Sequence, residues 1–345
     1  MRSMFQYILL CLFLVVYSSI FAQKNYPEVQ IITTGTKTNI RGLSVVTDNV
    51  IWVCGSQGTV GKSTNGGKNW KWMTVKGFEK TDFRDIEAFD ATRAVIMSVA
   101  EPAYLLKTND GGITWKVVYE NKKKGMFLDA MEFWNEQSGI VIGDPIYGKF
   151  FIARTFDGGN TWKEIPDDKL PKADSGEVCF AASGTNLRAL DRDEAVFVTG
   201  GVRSRMFTKS NPIDLPMIQG KETTGANSIA IFDNYKHNGG RKMVVVGGDF
   251  NVDSSKKKNC FYSNNGGKTW NNPIIPPHGY RSCVEFINRK DLLSCGINGV
   301  DFSLNGGKDW IWISKEGFHV CRKAKVGNEV YLAGANGKVG KLIWR

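Results

Sequence analysis

The sequence predicts an all-β fold, a seven-bladed β-propeller closed by its own N-terminal strand. Three observations lead there. A turn motif recurs five times, the distance between copies suits one four-stranded unit each, and the last unit lacks a strand that the N-terminal region supplies.

The motif is Asn or Asp, then Gly-Gly, then two residues and Trp. Its copies are Asn65-Gly66-Gly67 with Trp70, Asp110-Gly111-Gly112 with Trp115, Asp157-Gly158-Gly159 with Trp162, Asn265-Gly266-Gly267 with Trp270, and Asn305-Gly306-Gly307 with Trp310. Such dipeptides between strand-like runs mark hairpins, because the turn needs positive φ. Ser63, Thr108, Thr155, Ser263 and Ser303 precede each copy by two residues and can tie the turn to its strand through a hydroxyl. Each Trp then anchors the following strand in the core. The boxes therefore read as structure. Three of the five carry Asn where a metal ligand or catalytic acid would require Asp.

The Trp spacings are 45, 47, 108 and 40 residues, so the long gap holds one repeat without a box, near Thr208 to Met217. Val330 to Lys341 copies Ile51 to Lys62, and the chain stops before the fourth strand of that repeat. Val29 to Thr33 matches the missing strand. Pairing the two ends removes the open sheet edges.

Aligned on their innermost strands, the repeats give two columns. The first reads Arg41, Arg84, Leu128, Thr185, Asn227, Arg281, His319, and the second Gly42, Asp85, Asp129, Asn186, Ser228, Ser282, Val320. Both fall where the chain enters the inner strand, at one rim of the axial channel. Loops carrying Glu101, Asp144 and Asp249 open on that face, with Lys122 to Lys124 and Lys256 to Lys258, and the boxes lie on the other. Arg41, Arg84 and Arg281 form the candidate anion site, since planar guanidinium groups suit carboxylate or sulfate. Asp85, Asp129, Glu101, Asp144, Glu177 and Asp249 surround them as further ligand-binding candidates. The competing expectation is that these arginines and acids pair with one another across blades.

Composition narrows the function. Arg2 followed by the apolar run Ile8 to Val16 and Ala22 reads as an export signal over residues 1–22, which leaves residues 23–345 as the propeller and predicts a periplasmic or secreted protein. No later segment is apolar enough to span a membrane. The net charge is +11, or +10 without Arg2, which points to an acidic partner: an acidic small molecule, an anionic glycan or an acidic protein surface. Nucleic acid is not expected, and there is no phosphate loop, dinucleotide fingerprint or nucleophile elbow. Cys54, Cys179, Cys260, Cys283, Cys295 and Cys321 form no CxxC pair, so no metal site or cofactor is expected. Cys54, Cys295 and Ala333 occupy one repeat position as small core residues, and a disulfide between Cys283 and Cys321 stays open.

The boxes resemble the Asp-box, or BNR, repeats of the sialidase superfamily. The chain as a whole resembles exported bacterial propellers similar to the photosystem II stability/assembly factor, through Ile40-Arg41-Gly42-Leu43, Gly143-Asp144-Pro145-Ile146-Tyr147-Gly148, Phe180-Ala181-Ala182-Ser183-Gly184-Thr185, Thr199-Gly200-Gly201 and Val246-Gly247-Gly248-Asp249. That resemblance implies seven blades. Sialidase chemistry is not expected: Arg41 is followed by Gly-Leu instead of Ile-Pro, and no Tyr–Glu pair is assignable. The leading expectation is a binding or assembly propeller. The alternative is a glycosidase-like enzyme of polysaccharide degradation using Asp129 and Asp144, and the third is the oxidoreductase activity attributed to some relatives.

Overall fold

The computed structural model describes residues 26–34, 36–234, 236 and 239–344. The candidate export segment lies outside them. Seven antiparallel sheets follow one another along the chain as blades. Blade 1 shows the pattern: Ile40–Val45 innermost, then Ile51–Gly55, Thr59–Ser63 and Lys71–Thr74 outermost. Inner strands are buried almost throughout and outermost strands are largely exposed, so the apolar faces lie between neighbouring blades. Among the described residues, no helix is long and apolar enough to cross a membrane.

Blade 7 is completed from the other end of the chain. Glu28–Thr33 runs antiparallel to Val339–Ile343, with Val29 opposite Leu342 and Ile31 opposite Gly340. The ring is thus closed by the strand pair that the sequence predicts.

Blades 4 and 5 depart from the pattern. The inner strand of blade 4, Leu187–Ala189, is short. Gly200–Gly201, just beyond its second strand, joins the sheet of blade 5, where Gly200 faces Gly225 and Gly201 faces Glu177. A Cβ at Gly225 would stand 2.3 Å from the Gly200 Cα, so only glycine permits that approach. Blade 4 also lacks a box, as does blade 7, whose third and fourth strands come from opposite ends of the chain. In the outer turn of blade 4 Ser210 N–H bonds to the Thr208 hydroxyl, and Leu215 and Met217 are buried beyond it.

In the five boxes both glycines have positive φ, between 70° and 87°. The amide of the second glycine donates to the preceding Ser or Thr hydroxyl at 2.9–3.0 Å. The Asn or Asp side chain accepts from the amide four residues on, again at 2.9–3.0 Å. Asn serves as well as Asp because one carbonyl-type oxygen makes the turn. The Trp rings differ from the expectation of uniform burial. Trp162 and Trp310 are buried, while Trp70, Trp115 and Trp270 are only partly so. Trp70 and Trp310 donate their indole N–H to the second box glycine at 3.1 Å.

Two outcomes follow from this architecture. Trp310→Ala should destabilise the protein by about 3–5 kcal/mol, the usual cost of emptying a buried aromatic site, and Trp115→Ala by less, because its ring already meets water; denaturant titration of both variants checks the ranking. Deleting residues 23–35 should open the ring and expose two sheet edges, giving aggregation by light scattering. A monomeric deletion variant with an unchanged melting temperature would contradict that role for the N-terminal strand.

Candidate functional site

The inner strands of blades 1, 2, 3 and 5 each begin with a β-bulge. Ile40 faces Gly55 and Gly42 faces Cys54, which leaves Arg41 unpaired between them. The bulged residue is Arg84 in blade 2, Asp129 in blade 3 and Asn227 in blade 5. A bulge re-aims the side chain of its extra residue. Strand pairing puts Ser282 and His319 at the same height in blades 6 and 7, since Cys283 faces Cys295 and Val320 faces Ala333.

This register corrects the predicted columns in two blades. Asp129, not Leu128, is equivalent to Arg41, and so is Ser282, not Arg281. A slip of one residue along a strand sends a side chain to the opposite face. Arg281 accordingly points into the protein and is fully buried. Its Nε donates to Asp301 at 2.6 Å, its NH2 pairs with the same carboxylate, and its NH1 bonds Tyr280 O at 2.7 Å and the Asn298 side chain. It takes no part in the rim site.

Arg41 and Arg84 do converge. With Asp144, Asn227, Ser282 and His319 they line a cavity of about 470 Å³ at the rim face. Its wall is apolar: Phe127, Phe180, Phe250, Tyr280 and Ile297. Phe180 meets Phe250 edge to face at 5.9 Å, and Phe250 meets Tyr280 at 6.2 Å. The Tyr280 hydroxyl donates to Asn227 Oδ1 at 2.8 Å, which fixes one corner.

The floor of this cavity was not legible in the sequence. Residues 178–185 leave the blade order and cross the axis. Arg41 NH1 donates to Ala182 O at 3.2 Å and Arg84 NH1 to Ala181 O at 3.5 Å. The Ser183 hydroxyl bonds Ser282 O at 2.7 Å, and Gly184 O accepts from Arg322 at 3.3 Å. Four blades are therefore tied to one strip of backbone. The signal was present as Ala-Ala-Ser-Gly, a run of side chains small enough to fit an axial plug.

Arg84 Nε also pairs with Asp82 at 2.8 Å. Arg41 has no carboxylate within ion-pair reach among the described residues. Burial, and next the charge of Arg84, lower its pKa from the ordinary value. His319 is pushed down to about 3 by burial first, then by Arg41, Arg84 and Lys338. It is a neutral imidazole at pH 7, and its Nδ1 has no partner.

The acids are distributed differently from the expectation. Asp144 reaches the cavity, accepts the Cys179 amide at 2.9 Å and is pushed up to about 6 by burial. Asp129 lies beside it but is wholly buried, and burial followed by the Asp144 charge raises its pKa well above the carboxylate range. The two do not flank an open pocket, so the arrangement offers no carboxyl pair across a glycosidic bond. Glu177 is buried and bound to Arg205 and to the Thr199 hydroxyl. Asp249 accepts Thr223 Oγ1 at 2.8 Å and the Asn251 amide at 3.0 Å. Glu101 accepts the Gly125 amide at 2.6 Å on the surface. Asp85 accepts the amides of Ile86 and Met131 and faces the opposite mouth. Of these four only Glu177 is tied to an arginine, Arg205; Asp249, Glu101 and Asp85 are held by backbone amides and a hydroxyl, and none of the four lines the cavity of Arg41 and Arg84.

That opposite mouth is a second cavity, about 560 Å³, lined by Asp85, Glu87, Glu132, Glu285, Arg188, Arg322 and Lys325. Arg188 pairs with Glu285 at 3.1 Å and Glu132 at 3.7 Å, and Lys325 with Glu87. Its charges answer one another, in contrast to Arg41.

Comparison with known proteins bears out the repeat and the fold. A profile of the BNR/Asp-box repeat matches residues 261–272. The solved structure described as YCF48 bound to D1 peptide is similar over 93% of this chain and 96% of that one, with a TM-score of 0.65 and 16% identity. YCF48 from Cyanidioschyzon merolae matches over 91% and 98%, with a TM-score of 0.65 and 15% identity. No curated protein sequence matches the chain.

Asp144 makes the cavity's charge depend on pH. Its folded pKa of about 6 exceeds the ordinary 3.8, so the folded state holds the extra proton between these values, and stability falls as pH rises from about 4 to about 6 and levels off above. Asp144→Asn keeps an oxygen for the Cys179 amide and cannot ionise. It should melt higher than wild type at pH 8 and show a flatter melting profile from pH 4 to 6.

Proposed function

We propose that this chain is an exported binding or assembly propeller that holds an anionic group of a partner in the rim cavity. Arg41 carries the reading: a largely buried guanidinium with one backbone bond, no carboxylate of its own and a second arginine beside it. A carboxylate is the group that such a pair accepts best, because two planar donors can share its oxygens. The aromatic wall adds a preference for apolar substance next to that charge, as on a peptide segment. The YCF48 structure with a bound peptide supports a peptide over a glycan as partner. The depth of Asp129 speaks against the glycosidase reading, and the cavity presents no cofactor motif that would favour an oxidoreductase.

Calorimetry against a panel of acidic peptides and acidic oligosaccharides tests this. Arg41→Ala and Arg84→Ala should each weaken binding about 10- to 100-fold, the loss of one hydrogen-bonded charge at about 1.5–3 kcal/mol. Arg281→Met should leave affinity unchanged and lower the melting temperature. Equal affinity in wild type and both rim variants would overturn the assignment, as would wild type that binds neither panel.

A further inference from the structure

Three of the six buried cysteines meet between blades 6 and 7. Cys283 lies on the innermost strand of blade 6, Cys295 directly opposite on the next strand, and Cys321 on the innermost strand of blade 7. Their sulfurs all lie within 4.8 Å of one another, those of Cys283 and Cys321 at 3.6 Å. None of the three is exposed. The sequence concealed the cluster, since its members stand 12 and 26 residues apart and no CxxC pair occurs. By pairing register Gly42 and Val320 stand in the place of Cys283, and Cys54 and Ala333 in that of Cys295.

We propose that Cys283, Cys295 and Cys321 form a trigonal all-sulfur site for a soft monovalent ion, Cu(I). Thiolates select soft ions, and the cluster contains no nitrogen or carboxylate donor. A metal–thiolate bond of about 2.3 Å sets the sulfurs of a trigonal site about 4.0 Å apart, within the range the three sulfurs occupy. Zinc would want a fourth ligand, and the surroundings are the apolar core of Leu293, Val320 and Leu332, closed to water. A closed site takes up its ion as the ring forms, so the ion would bind two blades together across the seam next to the closing blade.

The test uses full-length protein produced in copper-supplemented cells and purified without oxygen. Wild type should retain one copper per chain against bathocuproine, show ultraviolet thiolate-to-metal absorption and melt higher than copper-free protein. Cys295→Ala and Cys283→Val, each copying the blade 7 residue, should lose retention at least 100-fold, while Cys54→Ala should keep it. Wild type that surrenders its copper to the chelator, or carries zinc instead, would overturn the site. So would undiminished retention in both cluster variants, or peptide mapping that finds Cys283 disulfide-bonded to Cys321.

Discussion

Everything at the axis depends on the hydrogen-bonded pairing of Glu28–Thr33 with Val339–Ile343. The apolar faces of each blade pack on its neighbours, and across the axis there are only the strip at 181–184 and a few long charged side chains, so an open ring would have little to hold seven inner strands at one radius. Arg41 and Arg84 come from blades 1 and 2, and His319 from blade 7, whose sheet that pairing completes. The meeting of these residues is therefore a property of closure. The box turns contribute at a distance: they fix outer hairpins on the far face and leave the rim free to carry groups that a stable turn would not choose.

The parts legible in the sequence were those with a period. Five boxes and an incomplete last repeat suffice for blade count and closure, because each signal is local and repeated. The site was half legible. Arg41, Arg84 and Asp144 reach the cavity. Arg281 does not, because blade 6 enters its inner strand without the extra residue that blades 1 and 2 carry, and aligning by residue type could not detect that change of phase. Asp129 reads as an acid one column away from Arg41, takes the equivalent position in the structure, and proves to be wholly buried. The strip at 178–185 stood out as a stretch, but its path across the axis did not: it occurs once, so no comparison between repeats could place it.

Electrostatics divides the two mouths. At one, Arg188, Arg322 and Lys325 face Glu87, Glu132 and Glu285, and the charges are spent on holding blades together. At the other, Arg41 and Arg84 crowd each other and depress the proton affinity of His319. Like charges that share a partly buried space cost free energy unless something offsets them. The backbone carbonyls of Ala181 and Ala182 do so in part, and an incoming anion would do so further. The same fold thus uses arginine as a tie at one end and as an unanswered charge at the other.

The strip across the axis has a topological consequence. The two cavities share no lining residue, and Ala181 to Gly184 lies between them, bonded to Arg41, Arg84, Ser282 and Arg322. The propeller is therefore a cup and not a tube. A long chain cannot thread it or slide through. Whatever enters either mouth must present an end or a protruding loop and must leave by the way it came.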